Sequence, residues 1–268
     1  MMQNKKKIYK YGIVLGAFVL IGGYMKGYDI LHVNKHILNQ VVQKKNDIDK
    51  LVNPVSQDKK IAASAPVQEE KILLSNVPFI QQLPELERGC EVTSLAMLLQ
   101  YAGASVDKME LANEIPKVAF SKGGVRGNPN EGFVGNIYTF SESGYGVYHE
   151  PLFQLASKYL SNKAVDLTGE NINKIYENVK EWAPVVMITN ATYAPLDEGE
   201  FDTWETDAGK VSITYNEHCV LLVGYDSESV YIHDPLSDTP NVSVPRENFE
   251  QAWVQMGSQA ISYVPDSK

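Results

Sequence analysis

The chain has 268 residues, 44% hydrophobic and 10% aromatic, enough for one domain with a sizeable core and additional segments. Formal net charge is −9, and basic residues cluster at the N-terminus (Lys5, Lys6, Lys7, Lys10, Lys26), so the remainder is more acidic than the total. That balance excludes nucleic acid as the main partner, because phosphate binding needs a basic surface.

Residues 11–25 carry no charge and follow the lysine cluster. The run is shorter than the ~20 residues of an ordinary spanning helix, and no small-x-small cleavage site follows it. The expectation is an uncleaved membrane anchor over 1–28, lysines in the cytoplasm and the bulk of the chain outside; a cleaved signal, leaving a secreted protein, is the alternative. A weak heptad follows (Leu31, Asn34, Leu38, Val41, Lys45, Ile48, Val52), then a polar, Pro-containing stretch over 53–70. Residues 29–70 therefore read as stalk helix and linker. The folded domain is expected over 71–268.

Within that domain, Ile72–Ile80 reads as extended and Pro84–Gly89 as a loop. Glu91–Ala102 has a helical apolar stripe (Val92, Leu95, Ala96, Leu98, Leu99, Ala102), with Gly103 suited to its C-terminal cap. Asp107 and Glu110 have capping-box spacing for a second helix, which Pro116 ends. Residues 123–135 hold five glycines and read as a long irregular loop. Further helices are expected at Pro151–Leu160, Asn171–Trp182 and Glu247–Trp253. Strands are expected at Pro184–Thr189, Lys210–Tyr215, His218–Tyr225, Val230–His233 and Gln259–Val264. Helices first and mostly antiparallel strands later indicate an α+β fold.

Cys90 follows Gly89 at the start of the first helix. A thiol there faces unpaired backbone N–H groups and the positive end of the helix dipole, both of which favour thiolate. Thiol-based acyl transfer also needs an imidazole, a group that orients it, and donors for the oxyanion. His218 starts a strand, and a hairpin through residues 226–229 returns Asp234 beside it. If Val220 lies opposite Asp234, the two side chains share a face; a one-residue slip separates them. Gln82 or Gln81, upstream of the thiol, is a candidate oxyanion donor beside the Cys90 N–H.

Competing readings exist for these residues. Cys90 and Cys219 are the two cysteines of the chain and would pair in an oxidising compartment. Against that, strand alternation turns Cys219 away from the face of His218 into an apolar run, as a buried inert thiol. His149, among Tyr145, Tyr148 and Phe153, reads as structural rather than groove-lining. The six acidic residues of 197–207 read as a solvated loop rimming the groove, since EF-hand spacing is absent. No His/Cys cluster has zinc spacing, so neither metal nor cofactor is expected.

The chain resembles the C39-like, papain-fold cysteine peptidases of bacteria, in their stand-alone extracytoplasmic branch. The resemblance spans roughly 74–264. It rests on Val77–Gln82, Gly89-Cys90-Glu91-Val92-Thr93-Ser94, Gly127-Asn128-Pro129, Gly132–Gly135, Gly144–His149, Glu217-His218-Cys219-Val220-Leu221 and Asp234-Pro235. It implies a helical part carrying the Cys and a C-terminal antiparallel sheet carrying His and Asp. It also implies the roles of nucleophile for Cys90, base for His218, orienting acid for Asp234 and oxyanion donor for Gln82, acting on a peptide or protein substrate. The best-known relatives trim leaders after Gly-Gly while fused to ATP-driven exporters. No GxxxxGK[ST] loop occurs here, so leader trimming is not expected. A cell-wall amidase and a silent surface binding module are the alternatives, and the oligomeric state stays open.

Overall fold

A computed structural model describes residues 71–181 and 183–265. The expected anchor, stalk and linker (1–70) lie outside these residues. Among the described residues no helix is long and apolar enough to cross a membrane.

The elements run β1 (Ile72–Leu73), α1 (Cys90–Tyr101), α2 (Lys108–Glu114), β2 (Lys117–Val118), β3 (Ser121–Lys122), β4 (Val125–Arg126) and β5 (Phe133–Val134). Then come α3 (His149–Leu160), β6 (Ala164–Asp166), α4 (Ile172–Glu181), β7 (Val185–Asn190), β8 (Asp202–Thr206), β9 (Gly209–Ile213) and β10 (Glu217–Tyr225). The series closes with β11 (Ser229–His233), β12 (Val242–Pro245), α5 (Arg246–Gln255) and β13 (Ala260–Tyr263). This is the expected α+β arrangement, helices leading and an antiparallel sheet following.

The main sheet has the order β12-β11-β10-β7-β13-β6, with β1 added beside β10. The strand β10 is its spine, and its alternate residues enter two different cores. Cys219, Leu221 and Val223 pack with α1 residues such as Val92, Leu95 and Leu99. Val220, Leu222 and Tyr225 pack with Ile175, Tyr176 and Val179 of α4 and with Phe249 and Trp253 of α5. A strand covered on both faces reads as a continuous apolar run, which is what Val220–Val223 show.

Helix α1 differs from a one-sided amphipathic helix. It packs against β10, β7, α2 and α3, so Glu91, Thr93, Ser94 and Met97 are buried along with the expected stripe up to Leu99, Ala102 being half-buried. Ala102 caps it, and Gly103 follows at φ +91°, the left-handed conformation that favours glycine. Asp107 caps α2, its carboxylate accepting from the Met109 and Glu110 N–H groups at 2.8 Å.

Three expectations are corrected. The extended segment expected over Ile72–Ile80 is interrupted by a bend at Ser75 and Asn76, where Asn76 takes φ +58°, and pairs as a strand over Ile72–Leu73. The glycine-rich loop contains β4 and β5, which pair with β8 and β2. The acidic 197–207 segment is a short 3₁₀ turn leading into β8, a strand in which Trp204 and Thr206 are buried while Asp202 and Glu205 stay in water. Alternation of charge with buried residues is a strand signature that the acidic count hid.

Candidate active site

Cys90 is the first residue of α1, with Gly89 as the N-cap. Glycine is required there by close approach: a Cβ on Gly89 would lie 2.4 Å from Leu86 Cβ. At this position the Cys90 N–H is one of the helix-initial donors with no intrahelical acceptor. Ser94, one turn on, donates its hydroxyl to the Cys219 carbonyl at 3.2 Å and ties the start of α1 to β10.

Leu221 pairs with His233, and continuing that antiparallel register sets Val220 opposite Asp234. The two side chains therefore share a face, and His218 Nε2 meets Asp234 Oδ1 at 2.8 Å. Burial pushes the Asp234 carboxyl up, but the hydrogen bonds from His218, the Leu236 N–H and the Tyr193 hydroxyl outweigh it and hold it below the usual aspartate range. An ionised Asp234 accepts, so Nε2 carries the imidazole proton and Nδ1 is the basic nitrogen. Tyr193 fixes the other oxygen, donating to Asp234 Oδ2 at 2.8 Å.

Cys90, His218 and Gln82 line one cleft of about 310 Å³, together with Arg88, Phe140, Tyr145, Tyr215, Glu217 and Leu236. No residue of 123–135 or 197–207 lines it, so neither segment blocks or rims the groove. His149 lies elsewhere, heading α3 with Nδ1 2.8 Å from Asp166 Oδ2. Cys90 and Cys219 are both free thiols, both buried, so the alternative of a disulfide between them is not what the structure holds.

Of the two glutamines, Gln82 is the one at the cleft. Its side-chain Nε2 donates to the Leu86 and Glu87 carbonyls at 3.1 and 3.2 Å, and its Oε1 is buried without a partner. Gln81 is turned away, donating to the Ser237 carbonyl and the Asp238 carboxylate.

The thiol does not meet the expectation from helix position. No hydrogen bond joins Cys90 to His218; the thiol instead donates to Glu91 Oε2 at 3.3 Å. Burial, then the charges of Glu91 and Glu217, push the Cys90 thiol well up, where the helix start alone would lower it. Sequence reasoning missed Glu91, Glu217 and Tyr193. The first two were in view, immediately after the thiol and immediately before the imidazole. Surface carboxylates are the default reading of glutamate, and nothing in the spacing shows that α1 is buried all round. Tyr193 had no signal, since it follows β7 in a turn whose position only the sheet order gives.

Among the described residues, Cys90, Glu91 and Glu217 alone bring three candidate donor atoms within 4.8 Å of one another. Glu91 Oε1 is already held by the Val147 N–H at 2.8 Å and Oε2 by the thiol, an arrangement for protons rather than a cation cage.

The model of the Peptidase_C39 like family matches residues 74–261. The uncharacterized Bacillus subtilis protein YvpB is 46% identical over 179 residues, which is 66% of this chain and 70% of that protein. The crystal structure of a candidate C39-like peptidase from Bacillus anthracis aligns with a TM-score of 0.73 at 78% identity, covering 75% of this chain and 100% of that one.

Proposed function

From the fact that the chain belongs to the C39-like peptidase family, we propose that it is a thiol peptidase acting through Cys90, His218 and Asp234. In this reading His218 Nδ1 takes the Cys90 proton, the sulfur attacks the peptide carbonyl carbon, and the imidazolium returns the proton to the leaving amine. Water then hydrolyses the thioester with His218 as base, releasing the acid and regenerating the thiol. Asp234 keeps the proton on Nε2 and stabilises the imidazolium that forms. The Cys90 N–H and the Gln82 amide serve the oxyanion, Gln82 after giving up one of its two local carbonyl acceptors.

The single observation that carries the reading is that His218, held by Asp234 at 2.8 Å, lines one cleft with Cys90 at a helix start. The uncharged run at 11–25 behind a lysine cluster supports an anchored, extracytoplasmic location. The test is hydrolysis of a peptide library by the full chain, with alkylation of Cys90 followed in parallel. Cys90→Ala should abolish turnover, and Gln82→Ala should lower kcat by about 10²-fold or more. His218→Ala should slow alkylation of Cys90 at neutral pH by about tenfold or more. Equal alkylation of the native and His218→Ala proteins would remove the imidazole from the mechanism.

A further inference from the structure

The thiol in this cleft is flanked by two carboxyl groups that the proposed mechanism does not use. Glu91 is 1% exposed, and Glu217 Oε1 is buried without a hydrogen-bond partner. One oxygen of each lies within 4.8 Å of the other and of the Cys90 sulfur. They converge on Gly146, where a Cβ would stand 2.6 Å from Glu91 Oε1 and 3.0 Å from Glu217 Oε2. A side chain at 146 would crowd both, so the glycine leaves room for the two carboxyls to approach one another.

The groups that face the pair are few. From α1 there is Cys90; from β10, His218 and Cys219; from the segment before α3, Tyr145 and Tyr148. Arg88 lines the same cleft as Glu217 but donates to the Asn136 and Thr139 carbonyls, and His218 is the group whose positive charge acts on Glu91. Glu91 is buried and Glu217 half-buried with its Oε1 shut away from water, and two carboxylates this close cannot both ionise readily near neutrality, so the pair retains a proton.

We propose that Glu91 and Glu217 form a charge-coupled carboxyl pair that sets whether the Cys90 sulfur ionises. When Glu91 holds the proton, its Oε2–H donates to the sulfur and stabilises the thiolate that forms as His218 Nδ1 takes the thiol proton. When Glu91 is ionised, Oε2 accepts from the thiol instead, as it does in this structure at 3.3 Å, and holds Cys90 in its unreactive form. The carboxyl proton is not consumed: the thiol proton goes to the imidazole, and the carboxyl changes only from hydrogen-bond acceptor to donor. Both residues are positioning residues acting through Cys90, and they limit the enzyme on the alkaline side. The direction of their titration agrees, since burial raises Glu91 to about 7 and burial with the Glu91 charge lifts Glu217 well above its ordinary value.

The inference rests on the thiol-peptidase reading and deepens it. It is tested by alkylating the full chain with iodoacetamide across pH and quantifying the Cys90 peptide by mass spectrometry. The readout is the ratio of rates at about pH 8 and about pH 5. Glu91→Gln removes the charge that appears between these values, so the ratio should rise about tenfold over the native protein, equivalent to about 1.4 kcal/mol. Glu217 still holds its proton while Glu91 titrates, so Glu217→Gln keeps a neutral neighbour and the same break in the profile should persist at nearly the same pH. A role in packing alone would scale the rates at both pH values together. Native and Glu91→Gln ratios within twofold of each other would overturn the proposal. If neither variant folds, infrared titration of the native chain decides. A protonated-carboxyl stretch should be present at neutral pH and vanish in alkali, and its absence at neutral pH would equally overturn the proposal. His218→Ala is measured alongside: failure of that arm removes the imidazole mechanism, while the Glu91 arm reports on the carboxyl pair by itself.

Discussion

Two carboxyls near the thiol are driven in opposite directions. Asp234 is held below its ordinary value, so its contribution to folding is fully present above the unfolded aspartate pKa and is lost as pH falls through the folded one. Glu91 is raised from 4.5 to about 7, so its folded form binds a proton that the unfolded chain has released. Its contribution is fully present below 4.5 and is lost as pH rises toward about 7. On these two groups alone, stability should peak near about pH 4 and decline toward neutrality. Thermal unfolding followed across pH should show that decline, and Glu91→Gln should make its neutral side shallower, with the raised Glu217 carrying the remainder, while leaving the acid side in place. A protein most stable where its thiol is least hindered and least stable where Glu91 is ionised is the thermodynamic counterpart of a strained site. None of this is visible in the residue types: glutamate beside cysteine reads as surface, and only burial on every side of α1 turns it into an expensive charge.

The helices and long strands could be read from the sequence within one or two residues because their periodicity is sustained. Helix α1 and strand β10 carry the longest apolar patterns, and both end at a glycine or a charged turn. Boundaries written in local chemistry were readable too. Asp107 was legible as a cap because a carboxylate three residues before Glu110 satisfies helix-initial N–H groups, as it does at 2.8 Å. Asp107→Ala should lower stability by about 1 kcal/mol, measured as a shift in denaturation midpoint without a change in slope. The short strands were not legible. A two-residue strand such as β5 has no period, and its partner β2 lies on the far side of a loop. β8 was hidden by its charges, although Trp204 and Thr206 mark its buried face. Of the candidate site, Cys90 and His218 stood out because their elements are long, and Asp234 because it directly follows the strand paired with that of His218. Tyr193 did not, because a turn residue gains its partner only from the neighbouring strand.

At the scale of the molecule, the sheet order decides what the chain tolerates. The strand β13 sits between β7 and β6, pairing Ile261 with Val186 on one side and with Asp166 on the other. The last strand is thus interior, and its loss would open the sheet rather than shorten it. It also carries Ser262, whose hydroxyl donates to the Pro184 carbonyl and accepts from Asn178. A chain stopped after Met256 should fail to show the single cooperative thermal transition of the full protein, and the His218–Asp234 pair should be lost with it, since β7 holds β10 in register. Fold class was readable from element order, whereas this interleaving was not, because hydrophobicity does not tell which strand is a neighbour of which.

The tie between Ser94 and Cys219 spans 125 residues of chain. The thiol is therefore made long before the imidazole that would activate it, and a polypeptide emerging N-terminus first exposes Cys90 as an ordinary cysteine beside a glutamate. Only when β10 and β11 have been added, and β13 has closed the sheet behind them, do base and acid stand together. For the thiol peptidase proposed above, latency during synthesis is then a property of chain order: an unfinished molecule lacks the paired base and acid that its thiol needs in order to cut.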